Sequence, residues 1–235
     1  SEMCIRDRNE LNSGSAGFWK VRMWDDKGAV SEWSDAAWFT VGLLENEDWN
    51  AEYIGFEDEG CMDCSPLLRS EFRLTEPFDR LLLYVNSLGY HEVYVNGRKV
   101  GDDVLSPAVS QFDKRSHSIT YDVSSYVKEG DNDLVIWLGR GWYSKGLPGV
   151  VSDGPLVRAQ LEQMRAGNRE TVLATNSKWK GRISGYSTLG SWRPDKFGGE
   201  MVNGEQIIED WSFENMNSIG WLLSLIHISE PTRPY

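Results

Sequence analysis

At 235 residues the chain can hold one large β domain or two small ones, and a hydrophobic fraction of 40% supplies an ample core. A formal net charge of −12 argues against the phosphate backbone of a nucleic acid or an anionic membrane surface as partner, and no run approaches the roughly 18 apolar residues of a membrane-spanning helix. Eleven Trp and nine Tyr make the chain heavily aromatic, which suits a β-sandwich and also suits sugar binding, because flat rings stack on the apolar faces of pyranoses. For any single ring, core packing is the commoner role.

In chain order, residues 1–8 (SEMCIRDR) carry neither a strand nor a helix period. They closely resemble a peptide made when sequencing-adaptor DNA is translated at the edge of an assembled read, and so do residues 222–235 (LLSLIHISEPTRPY). Both are expected to be artefacts outside the fold, like an expression tag. On that reading Cys4 and His227 belong to the artefacts, the true N-terminus is missing, and the lack of a visible secretory signal says nothing about location.

Residues 18–24 alternate strictly, Asp25-Asp-Lys-Gly28 reads as a hairpin turn, and Ser31-Glu-Trp-Ser34 leads into a second strand at 37–41. So few strands cannot bury a core alone. Residues 9–43 are therefore expected to be the C-terminal part of a fibronectin type III-like sandwich whose earlier strands are lost. Residues 44–66 read as a linker with an acidic loop at 57–60 and the pair Cys61-Met-Asp-Cys64. A lone C-x-x-C before a proline, with no second ligand pair near in sequence, predicts two ordinary loop thiols rather than a zinc or redox site.

Residues 67–221 form the main domain. Strand-like runs fall at 68–74, 80–85, 90–95, 118–121, 133–138, 156–164, 171–174 and around 178–183, separated by turn residues such as Asn96-Gly97, Glu129-Gly-Asp-Asn132 and Ala166-Gly-Asn168. Asn96-Gly97 is the strongest hairpin signal, since both residues tolerate the positive φ of a type I′ turn. In the strand before it, Tyr90, Glu92 and Tyr94 share one face and His91, Val93 and Val95 the other; His91 is expected to point inward with a hydrogen bond. Asp122 is expected to cap one helical turn over 122–127. Many short strands without intervening helices predict an all-β fold, a jelly-roll-type β-sandwich preceded by the truncated fibronectin type III-like sandwich.

The motifs Pro66-Leu-Leu-Arg-Ser-Glu-Phe72, Leu88-Gly-Tyr90, Val95-Asn-Gly97, Val100-Gly-Asp-Asp-Val-Leu105, Thr120-Tyr-Asp-Val123, Leu138-Gly-Arg-Gly-Trp-Tyr143 and Phe197-Gly-Gly-Glu200 occur in an order that resembles the N-terminal β-sandwich domain of bacterial α-L-rhamnosidases. The segment around Phe18-Trp-Lys-Val-Arg-Met-Trp-Asp25, with Trp33-Ser34 and Gly42-Leu-Leu44, is similar to the sandwich and linker that precede it in that family. The resemblance implies a parent enzyme that hydrolyses terminal α-L-rhamnose from glycosides or polysaccharides with inversion, using two carboxyl groups roughly 6.5–9.5 Å apart. In the family these stand on a large helical barrel C-terminal to the sandwich. The chain stops before any such barrel, so no catalytic residue is expected in it, and the missing barrel is an expected partner within the parent chain.

In some members of the family the matching domain binds rhamnose through calcium. The candidates here are Asp102 and Asp103 after Gly101, as calcium ligands and sugar contacts, with Trp142 and Tyr143 as a stacking platform. The alternatives are that the two Asp side chains cap a loop through backbone N–H groups and that the two rings close the core. Three readings stand side by side: an accessory domain of an α-L-rhamnosidase, an autonomous calcium-dependent rhamnose-binding module, and a structural spacer. Glu200 is a candidate for lining a groove.

Overall fold

The computed structural model describes residues 11–56, 63–143, 147–190, 198–223 and 225–228, the last group by backbone alone. The chain divides into two compact units, up to Trp49 and from Asn50 onward. In the first unit β1 (Ala16–Trp19) pairs antiparallel with β2 (Ala37–Thr40), with Phe18 opposite Trp38. The alternation at 18–24 does not extend the strand. Instead the hydroxyls of Ser31 and Ser34 accept from the N–H groups of Met23 and Val21. Asp25 closes the expected turn, its Oδ1 accepting from the N–H of Lys27 and of Ala29. The Arg22 guanidinium lies 4.8 Å from the Trp24 ring centre and 4.6 Å from that of Trp33.

The second unit is a sandwich of two antiparallel sheets, so the expected all-β architecture is present. Among the described residues the first sheet runs β14 (Leu225–Ile228), β3 (Tyr53–Phe56), β10 (Leu156–Arg165), β5 (Arg80–Leu88) and β8 (Ser118–Asp122), with β11 (Asn168–Ala174) also paired to β10. The second sheet runs β13 (Gly199–Val202), β12 (Lys180–Leu189), β4 (Cys64–Leu74), β9 (Gly130–Gly139), β6 (Tyr90–Val95) and β7 (Arg98–Lys99). The inward residues of both sheets form one core, from Leu81, Leu83 and Val85 on β5 across to Val93 and Val95 on β6 and Leu134, Ile136 and Leu138 on β9. Each such side chain contributes about 1.5–3 kcal/mol by leaving water.

Asn96 and Gly97 adopt φ of 50° and 75°, as a type I′ turn demands. A Cβ on Gly97 would stand 2.2 Å from the carbonyl oxygen of Trp211, so this glycine also admits the close approach of the C-terminal segment. Buried Asn132 supports the turn from below, accepting from Asn96 Nδ2 at 2.8 Å and from the Lys128 N–H at 2.9 Å.

Four expectations change. Residues 222–235, expected to lie outside the fold, supply β14, which pairs with β3 along Leu225–Ile228 and covers what would otherwise be an open sheet edge. Residues 53–56, read as part of the linker, form β3, whose four residues are all buried. Residues 122–127 make a hydrogen-bonded turn rather than a helical turn; Asp122 does cap it, accepting from the N–H of Ser124 at 3.1 Å. Cys64 is not a free loop thiol: it begins β4 and is disulfide-bonded, with its partner outside the described residues, as Cys61 also is. A short helix not foreseen, α1 (Phe213–Ser218), is capped by Ser212, whose Oγ accepts from the Asn215 N–H. It lies over the outer face of the second sheet, where Met216 joins Leu67 and Val135.

Candidate functional site

Beyond β7 the chain turns at Gly101, with φ of 73°, into an exposed bend that carries Asp102 and Asp103. Leu105 has φ of 53°, and the Ser106–Pro107 peptide bond is cis. The Ser106 carbonyl accepts from the His91 N–H at 2.8 Å, which ties this loop to β6. His91 itself points inward as its alternation predicts. Only 4% exposed, it bonds Ser87 Oγ through Nδ1 at 2.7 Å and the Tyr121 hydroxyl through Nε2 at 3.0 Å. Burial pushes its pKa down to about 4, against a smaller opposing pull from Glu92. Burial, then the nearby charge of Asp103, raises the Tyr121 phenol to about 12.

Trp142 and Tyr143 part company. Trp142 is 48% exposed and lines a narrow crevice with Pro107, Val109 and His117. Tyr143 is buried: its ring meets Phe112 edge-on at 5.2 Å, and its hydroxyl accepts from the Val151 N–H and from Ser152 Oγ. It closes the core and pins the 147–155 loop, so it offers no face to a sugar. Asp102 and Asp103 do not line the Trp142 crevice. The two carboxylates alone fall well short of the roughly six to eight oxygens calcium takes, and among the described residues no group of three or more His, Cys, Asp or Glu side chains is placed to hold a metal. Backbone carbonyls and water would have to complete any shell there.

The second feature lies on the outer face of the second sheet. The C-terminal segment covers one half of that face: Trp211 stacks on Tyr94 at 4.4 Å and lies tilted over Trp137 at 6.2 Å. Arg69 holds this cover down. Only 2% exposed, it pairs with Asp133 through Nε at 2.9 Å and donates from Nη2 to the Asn217 side chain at 2.7 Å. The other half is a hollow of about 260 Å³ walled by Tyr90, Trp137 and Tyr186, with Glu92 and Glu200 at its margins. Glu200, expected in a turn, stands instead on β13, paired opposite Thr188, and lines this hollow. Sequence reasoning passed over Glu92, Trp137 and Tyr186. The alternation of β6 already set Glu92 beside Tyr90, and Trp137 falls out of phase with Ile136 and Leu138, which was a legible sign of an outward ring.

Architecturally, the second unit is a two-sheet antiparallel sandwich with a half-covered outer face. Residues 76–232 match the family described as the alpha-L-rhamnosidase N-terminal domain, and residues 4–45 match the Rha78A-like, N-terminal immunoglobulin domain. The chain belongs to the α-L-rhamnosidase N-terminal domain family. It is 30% identical over 94% of its length to an α-L-rhamnosidase of Alteromonas sp. (strain LOR), and 27% identical over 90% to one of Formosa agariphila. In each case it spans 25% of the relative. Among solved structures it is similar to an α-L-rhamnosidase from Aspergillus terreus, with a TM-score of 0.79 and 26% identity over 95% of this chain and 26% of that one. A second, from Dictyoglomus thermophilum, gives a TM-score of 0.77 and 25% identity over 97% of this chain and 27% of that one.

Proposed function

We propose that this chain is the non-catalytic N-terminal part of an inverting α-L-rhamnosidase, its sandwich serving as an accessory domain to a catalytic helical barrel that follows it. The observation behind the reading is coverage: proteins named α-L-rhamnosidase align with 90–94% of this chain, yet it accounts for only 25% of their length. On this reading the substrate of the whole enzyme is a rhamnose-containing glycoside or polysaccharide. The division proposed is a partial immunoglobulin-like domain over 9–43, a short linker over 44–49 and the accessory sandwich from Asn50 onward, which takes in β3 and β14, with an adaptor-like segment at 1–8. The 235-residue chain should release no nitrophenol from p-nitrophenyl α-L-rhamnopyranoside above the buffer rate. Sustained turnover by the purified chain would overturn the assignment.

A second reading, calcium-dependent rhamnose binding at Asp102 and Asp103, draws on the bend after Gly101 that leaves both carboxylates exposed together. Titration calorimetry with L-rhamnose tests it. Heat that appears with calcium and vanishes on chelation and in Asp102→Ala supports it; no calcium-dependent heat leaves those side chains as loop caps.

A further inference from the structure

We propose that the hollow on the outer face of the second sheet is a saccharide subsite that holds one neutral pyranose ring without a metal ion. Asp102 and Asp103 do not line it, although Leu105 of the same loop reaches its edge, and its sugar class rests on the rhamnosidase reading above.

The hollow follows from side-chain size. Outward positions on the two central strands, β4 and β9, are occupied by Ser65 and Gly139, between larger neighbours. Gly139 pairs with Tyr90 on β6, and one step along the face Trp137 pairs with Glu92. Small residues therefore make the floor while Tyr90, Trp137 and Tyr186 make walls. The walls are held rigidly, with Tyr186 meeting Trp137 edge-on at 5.1 Å and Trp211 over Trp137. Rings fixed before binding lose no rotamer freedom on meeting a ligand.

The polar groups stand at the two sides. Glu92 projects from β6 and Glu200 from β13, on opposite sides of the central strands. Glu92 is fixed by the Tyr94 hydroxyl at 2.7 Å and by Lys99 Nζ at 2.5 Å. Each carboxylate oxygen still has a lone pair for a further donor. Ring faces below and carboxylate acceptors at the rim suit a group with an apolar face and a girdle of hydroxyl donors. An anion is disfavoured by the same carboxylates. A volume of 260 Å³ lies just under the range of about 300–1,000 Å³ for drug-sized ligands, which limits the occupant to about one ring.

The test uses the whole 235-residue chain in excess chelator, with methyl α-L-rhamnopyranoside as ligand and glycerol as control, read by saturation-transfer NMR and by titration. The expected result is transfer to the rhamnoside and not to glycerol, unchanged in Asp102→Ala. In Gly139→Val the affinity should fall about tenfold or more, as expected when a central anchor pocket is filled. The new Cβ would meet nothing closer than Tyr90 Cβ at 3.7 Å, so the strand should accept it. If that variant does not fold, exposed Glu200→Gln, which keeps the shape and removes the charge, should still weaken binding about threefold or more. No transfer in the wild type, or equal transfer in Gly139→Val, would overturn the proposal. Heat lost on chelation but kept in Gly139→Val would assign binding to the Asp102 loop instead, which separates the failure of one site from that of the other.

Discussion

Replacing Arg69 by Met isolates what fixes the C-terminal cover to the sheet. The guanidinium is buried against Asp133, whose side chain is 1% exposed, and its cation lies 5.7 Å from the rings of both Phe213 and Trp221. Met fills much of the volume but leaves the Asp133 carboxylate without its cation in a site where Oδ1 already has no hydrogen-bond partner. Removing one partner of a buried pair costs about 3–5 kcal/mol. The contact to Glu71 adds little, because that carboxylate is half exposed. For a domain of this size the loss corresponds to a fall in melting temperature of roughly 6–20 °C. In the double variant Arg69→Met with Asp133→Leu no charge is stranded, so about half or more of the loss should return. Urea denaturation followed by near-ultraviolet circular dichroism measures all four members of the cycle. A single-variant loss below about 1 kcal/mol, or strict additivity of the two changes, would refute the argument that a stranded charge dominates.

Two further predictions concern protons. His91 has a folded pKa of about 4, below its ordinary 6.5, so the fold favours the neutral ring. Its stabilising contribution is complete above pH 6.5 and is lost as pH falls through 4, by about 3 kcal/mol across that window. His91→Gln should flatten this part of the stability profile, and urea midpoints that fall equally in both proteins between pH 7 and 4 would contradict it. Amide exchange in residues 17–41 should be fast relative to β9 and β10. The pair β1–β2 is two-stranded, and Phe18, Met23 and Trp24 are 71%, 70% and 58% exposed. Strong protection there in the isolated chain would sink that expectation.

Much of the sandwich was written in local pattern. Asn96-Gly97 specified its own turn, because few residue pairs accept two positive φ values. The alternation of β6 sent His91, Val93 and Val95 inward and left Tyr90, Glu92 and Tyr94 outside. What the pattern could not give was anything that depends on distant strands. β3 is too short to carry a period and becomes a strand because β10 on one side and β14 on the other are there to pair with it. Trp142 and Tyr143 look equivalent as neighbours, yet only the packing of Phe112 and the 147–155 loop puts Tyr143 inside. Arg69 reads as an ordinary outward strand residue until α1, some 148 positions later, is laid over it.

The sequence by itself therefore determined the longer strands of the sandwich, the hairpin and the inward faces, since each depends on residues within one strand or turn. Tertiary structure alone decided which outward faces stay open. The hollow beside Trp137 exists because Ser65 and Gly139, far apart in the chain, both present small side chains to one patch that the C-terminal segment leaves uncovered. Cavities are made by side chains that meet across strands, and that meeting is a property of the packed sheet rather than of any local stretch.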